Sequence, residues 1–120
     1  MSEFIFLFRS DLAEAREAFS TPEQAQKSLE TWTAWVASLE KAGHLANRGL
    51  PLEHGGAIVK RDKVVTDGPF VEGKDMVLGY MVVRAGNLAE ASKLAAGCPM
   101  VIGGGSVEIR PVAGFFQERA

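Results

Sequence analysis

The chain has 120 residues, 47% of them hydrophobic, enough for one domain over residues 1–120 that buries roughly two thirds of its unfolded surface. Its formal charge of −2 is spread over mixed signs with no basic stripe, which argues against direct nucleic-acid binding, and no run of about 18 apolar residues argues for a membrane span. The single cysteine, Cys98, makes no internal disulfide, and Met1 to Phe8 lack the charge and cleavage pattern of a signal peptide, so the expected compartment is the cytoplasm.

Glu3 to Phe8 is a β-rich run, apolar on both faces, which predicts a central strand. Ser10 to Ser20 is polar and alanine-rich and reads as a loop with a short helical turn. A main helix follows from about Pro22 to Ala42: Thr21 caps, Pro22 suits the first helical position, Gln24 completes a capping box, and Gly43 offers the left-handed exit. Ala25, Leu29, Trp32, Val36 and Leu39 recur at spacings of three and four and predict one apolar stripe.

Beyond Gly43 the pattern changes. Leu45 to Leu52 reads as a short, irregular strand broken by Gly49 and Pro51. Ala57–Lys60 and Val64–Thr66 flank a connection short enough for a hairpin. Met76 to Val83 predicts another central strand, Asn87 caps a second helix reaching Gly97, and Val107 to Arg110 predicts the last strand. Gly103-Gly104-Gly105 precedes a strand and lacks a following Lys-Ser/Thr, so it reads as a tight connection rather than a phosphate cradle.

The order strand, helix, strands, helix, strand predicts an α+β fold: a ferredoxin-like sandwich whose antiparallel sheet carries both helices on one face. The strands are too apolar for the other face to meet water, which predicts a homodimer with two sheets packed face to face. Phe115 and Phe116 would seal that assembly or cover a pocket.

Val64-Val65-Thr66-Asp67-Gly68-Pro69-Phe70 joins a β-rich run to a dense turn signal, and Asp67 at its corner has two readings. It bonds backbone amides ahead of it in an Asx turn, or it moves a proton in a pocket. Thr66 to Phe70, then Glu72, Lys74, Leu78-Gly79-Tyr80, Cys98-Pro99 and Gly104 to Pro111, taken in order, resemble the DGPF branch of the YCII-related family. The resemblance implies a dimeric α+β barrel with a pocket between helix and sheet. It also implies, for part of the wider family, a His-Asp pair, with the His on the first helix and the Asp before a Pro near the end of the second. The matching positions here hold Trp32 and Cys98, so that dyad is absent.

The candidate catalytic groups are Asp67 and His54, the latter in a Gly-rich loop where an imidazole titrates near neutrality. Trp32, Phe70 and Tyr80 are candidates for an apolar wall around a small apolar or aromatic ligand, and Glu72 and Lys74 for holding an ionised substrate; solvated surface charge and ordinary core packing are the alternatives. His44 would sit at a helix C-terminus, where a cationic ring is favoured. Two histidines and scattered carboxylates lack a ligand spacing, so no metal or other cofactor is expected. Two functions follow: a lyase- or hydrolase-like enzyme, or a non-catalytic regulatory or interaction module. The second is implied by resemblance to domains found beside or fused to bacterial sigma factors.

Overall fold

The computed structural model describes residues 1–53, 55–65 and 75–114. Strand β1 (Ser2–Ser10) is followed by two helices, α1 (Leu12–Glu17) and α2 (Pro22–Lys41), then by strands β2 (Leu45–Asn47), β3 (Ile58–Val59), β4 (Val64–Val65) and β5 (Met76–Ala85). Helices α3 (Leu88–Ala96) and α4 (Pro99–Ile102) lead to strand β6 (Ser106–Pro111). The main sheet has four strands in the order β2-β5-β1-β6. Every neighbouring pair in it is antiparallel, and β3 pairs β4 in a separate two-stranded hairpin.

The caps that delimit the helices are local chemistry. Asp11 starts α1, its Oδ1 accepting from the amides of Ala13 at 2.7 Å and Glu14 at 3.2 Å. Thr21 Oγ1 accepts from the Gln24 amide at 3.1 Å, the forward half of the anticipated capping box; Gln24 makes no return bond among the described residues. At the far end Gly43 has φ +81°, and the His44 amide donates to the Leu39 carbonyl at 2.9 Å, closing the helix in a Schellman turn. The His44 ring does not serve that helix end: its Nδ1 lies 2.8 Å from the Arg84 carbonyl of β5. Because a carbonyl only accepts, Nδ1 carries the proton there.

The core sits between the helices and one sheet face. Phe4, Phe6 and Phe8 of β1 alternate inward and pair in register with Val83, Met81 and Gly79 of β5. Phe6 stacks on Trp35 of α2 with ring centroids 6.4 Å apart, and Trp35 Nε1 donates to the Leu94 carbonyl of α3 at 3.3 Å. Phe6, Val83 and Cys98 are the largest fully buried side chains.

The apolar stripe of α2 divides rather than facing one core. Trp35 and Leu39 are buried against the sheet, Trp32 and Val36 are half-buried, and Leu29 is 56% exposed. The residues anticipated as a single core seam therefore split between core and an open cavity.

Two segments differ from expectation in extent. The strand anticipated over Leu45 to Leu52 is regular only to Asn47. Gly49 adopts φ +64°, where a Cβ would fall 1.8 Å from the Tyr80 carbonyl oxygen, so only glycine fits this kink. The following residues still pair with β5, the Leu52 amide donating to the Leu78 carbonyl at 2.9 Å. At the other end, Cys98 does more than leave α3: its Sγ accepts from the Met100 amide at 3.4 Å and opens the short helix α4, with Pro99 in the first turn.

The sheet's other face carries Ile5, Leu7, Tyr80 and Val82, all half-buried, with the charged Arg9, Arg84, Glu108 and Arg110 around them. Arg9 Nε pairs with Asp75 at 3.2 Å and Arg9 Nη1 with Glu108 at 3.1 Å, tying the end of β1 to the start of β5 and to β6. The hydrogen bond that the guanidinium donates to Asp75, aided by the nearby carboxylate charges, raises its pKa further above the ordinary value.

Candidate functional site

A cavity of about 520 Å³ opens where α1, α2 and the kinked segment after β2 meet the sheet. Its apolar walls include Phe8 of β1, Leu29, Trp32 and Val36 of α2, Met81 of β5, and Met100 of α4. Trp32 lies edge-on to Phe8 with centroids 5.1 Å apart, and to Trp35 at 5.7 Å, so its indole is braced from the core side while still lining the space. Such a volume, mostly apolar with a few polar groups, is the ordinary size and chemistry of a small-molecule site.

A β-bulge shapes the floor. The register between β1 and β5 shifts between Phe8 and Arg9, so Leu78 is an extra residue between Gly79 and Val77. Leu78, Gly79 and Tyr80 all border the cavity, as do Gly49, Leu50 and Pro51 on the adjoining segment. Gly79 eases this approach, since a Cβ there would lie a tight 3.2 Å from the Leu50 carbonyl oxygen and push the segments slightly apart.

The polar contribution is small. Ser10, 5% exposed, sends its hydroxyl toward the Asp11 carbonyl at 3.3 Å and Glu14 Oε2 at 3.5 Å. Glu14 and Arg16 come from α1, and Arg48 from the edge after β2, where it pairs with Glu40 at 3.1 Å. No group of three or more metal-ligating side chains occurs among the described residues. No described helix is long and apolar enough to cross a membrane.

Of the residues singled out from sequence, Trp32 and Tyr80 are brought to this one cavity from α2 and β5. Asp67, His54, Phe70, Glu72 and Lys74 lie outside the described residues. Sequence reasoning missed Ser10, Glu14, Arg16, Phe19 and Arg48. A lone aromatic in a polar, alanine-rich stretch was the available signal for Phe19, and the others carry no sequence signal that sets them at a cavity.

The YCII-related domain model matches residues 10–115. The chain belongs to the YCII-related domain family. A search of curated proteins finds no match. The two positions where the sequence resemblance implied a His-Asp pair hold Trp32 and Cys98. Trp32 offers the cavity an indole with no proton-accepting nitrogen. Cys98 is fully buried, and burial raises its thiol pKa above the ordinary value, against the smaller opposing effect of the Met100 and Val101 amides. A neutral buried thiol and an indole transfer no proton between them.

Proposed function

We infer that this DGPF-type, YCII-related protein binds a small apolar or aromatic molecule in the cavity, as a homodimer of ferredoxin-like chains whose sheets pack into an α+β barrel. The observation that carries the ligand reading is the cavity itself: about 520 Å³ walled by Trp32, Phe8, Leu29 and Met81. The dimer reading is supported by the strand order β2-β5-β1-β6 and by the apolar centre of the helix-free face at Ile5, Leu7 and Val82. Catalysis on the bound ligand, of a lyase- or hydrolase-like kind, would need proton-transfer groups beyond Trp32 and Cys98, and Asp67 and His54 are assigned that role. Phe70 would extend the apolar wall, and Glu72 and Lys74 would hold an ionised part of the substrate.

Two measurements test this reading. Neutral naphthamide titrated into the protein should quench tryptophan fluorescence saturably, and Trp32→Ala should weaken its binding about tenfold, the order expected for losing one aromatic wall. Absence of saturable binding by naphthamide, and by the aliphatic octanamide read by calorimetry, refutes the ligand reading. Light scattering should give the mass of a dimer, and Leu7→Lys should halve it.

The second reading, a non-catalytic module acting with a sigma factor, is favoured by the loss of both dyad positions to Trp32 and Cys98. It predicts that Asp67→Asn leaves ligand binding unchanged and that no turnover accompanies binding. The catalytic reading predicts turnover that this substitution abolishes with folding intact.

A further inference from the structure

The way the charged residues around the cavity are engaged points to the chemical class of its ligand. Three charged side chains are among its described lining residues: Glu14, Arg16 and Arg48. Arg48 is already paired with Glu40 at 3.1 Å, and the Glu14 carboxylate has the Ser10 hydroxyl at 3.5 Å. The guanidinium of Arg16, in the last turn of α1, makes no hydrogen bond or ion pair among the described residues, while its backbone carbonyl accepts from the Phe19 amide at 3.0 Å. It stands beside Ala15, Ala18 and Phe19, which line the same wall.

Among the described residues the site thus combines a large apolar interior with one cation whose five donors are uncommitted. A neutral ligand leaves that guanidinium to water, and a cationic one meets both Arg16 and Arg48. A ligand with an apolar body and one carboxylate places its body against Trp32, Leu29 and Phe8 while its planar head matches the arginine fork. We propose that the cavity takes an organic monoacid, an aromatic or aliphatic body bearing one carboxylate that pairs with Arg16. This inference rests on the small-molecule reading of the cavity given above.

The pairing lies at an exposed mouth, where water and salt weaken it, so the expected preference is modest. Naphthoate should bind about three- to tenfold more tightly than naphthamide, and octanoate more tightly than octanamide by a similar factor, in low-salt calorimetry at pH 7. Arg16→Gln should bring acid and amide to equal affinity while naphthamide binding stays intact. Lys93→Gln, the same charge change on an exposed residue of α3 away from the cavity, should keep the preference. Raising the salt should narrow the gap between acid and amide.

Equal binding of acids and amides by the unsubstituted protein overturns the proposal and leaves the cavity reading standing. Tighter binding of naphthylmethylamine than of naphthoate overturns it as well, by assigning the head-group site to Glu14. A preference lost in Arg48→Gln but kept in Arg16→Gln moves the contact to the wrong wall and overturns the assignment. Failure of acids and amides alike removes the cavity reading and this inference together.

Discussion

Alternate residues of β1 and β5 share one backbone and meet two different environments. On the helix side Phe4, Phe6, Phe8, Met81 and Val83 are buried under α2 and α3; on the other side Ile5, Leu7, Tyr80 and Val82 are only half-buried within one chain. Both sets are apolar, so strand composition does not distinguish them. The difference teaches that period-two alternation assigns residues to faces, while what covers each face depends on elements far away in sequence. On the helix side the described residues leave a gap in that cover, which is the cavity beside Trp32 and Leu29.

Core truncation should separate the faces most sharply. Phe6→Ala should lower stability by about 3–5 kcal/mol in urea melts, because the ring is fully enclosed and stacked on Trp35. Leu7→Ala, one residue along, should cost about 1 kcal/mol or less in dilute protein, and more as concentration rises if a second copy covers that face. Equal, concentration-independent losses would break the comparison.

A smaller effect probes the core through protons. Cys98 stays protonated in the fold to a higher pH than in the unfolded chain, because burial raises its pKa. The unfolded chain therefore releases its thiol proton first, above about pH 8.5, and stability falls as pH rises from there toward the folded value. The slope should approach at most about 1.4 kcal/mol per pH unit, and Cys98→Ala should remove this contribution. An identical high-pH slope in that variant would show the thiol to be accessible rather than enclosed.

The smallest effect belongs to the polar rim of the open face. Arg9→Gln removes the pairs with Asp75 and Glu108 and should cost about 0.5–1 kcal/mol in low salt, shrinking toward zero as salt is raised. A loss that salt leaves untouched would mean that this rim is shielded, as it would be beneath a partner's sheet.

Much of the architecture was legible because its signals are local. Thr21 and Pro22 marked the start of α2, Gly43 its end, and Asn87 the start of α3, each through a backbone group that a nearby residue satisfies. Helix α1 was legible only as a helical turn, although Asp11 capped it, since it buries no residue and so carries no periodic signature of its own. For α4 the signal went unread: the second helix was expected to end at Gly97, and Pro99 just beyond it opens a new short helix. Trp32 was legible as a cavity residue because a large amphipathic ring was sought on α2, and Tyr80 borders the cavity although its strand position belongs to the helix-free face; Arg16 and Arg48 were not legible, since an exposed arginine has the same appearance whether or not a cavity lies beside it.

By itself the sequence determined the order of the main strands and of the two long helices, the caps of α2 and α3, the strand at β1 and the membership of the YCII-related family. These follow from interactions between neighbours in the chain and from side-chain periodicity. Tertiary structure alone decided that α2's apolar stripe divides between core and cavity, and that a bulge and a left-handed glycine bring Leu78, Gly79 and Gly49 to its edge. It also decided that the Arg16 guanidinium stands there with no side-chain partner among the described residues. Those outcomes depend on where distant surfaces fit together, and packing geometry, unlike capping, has no local code.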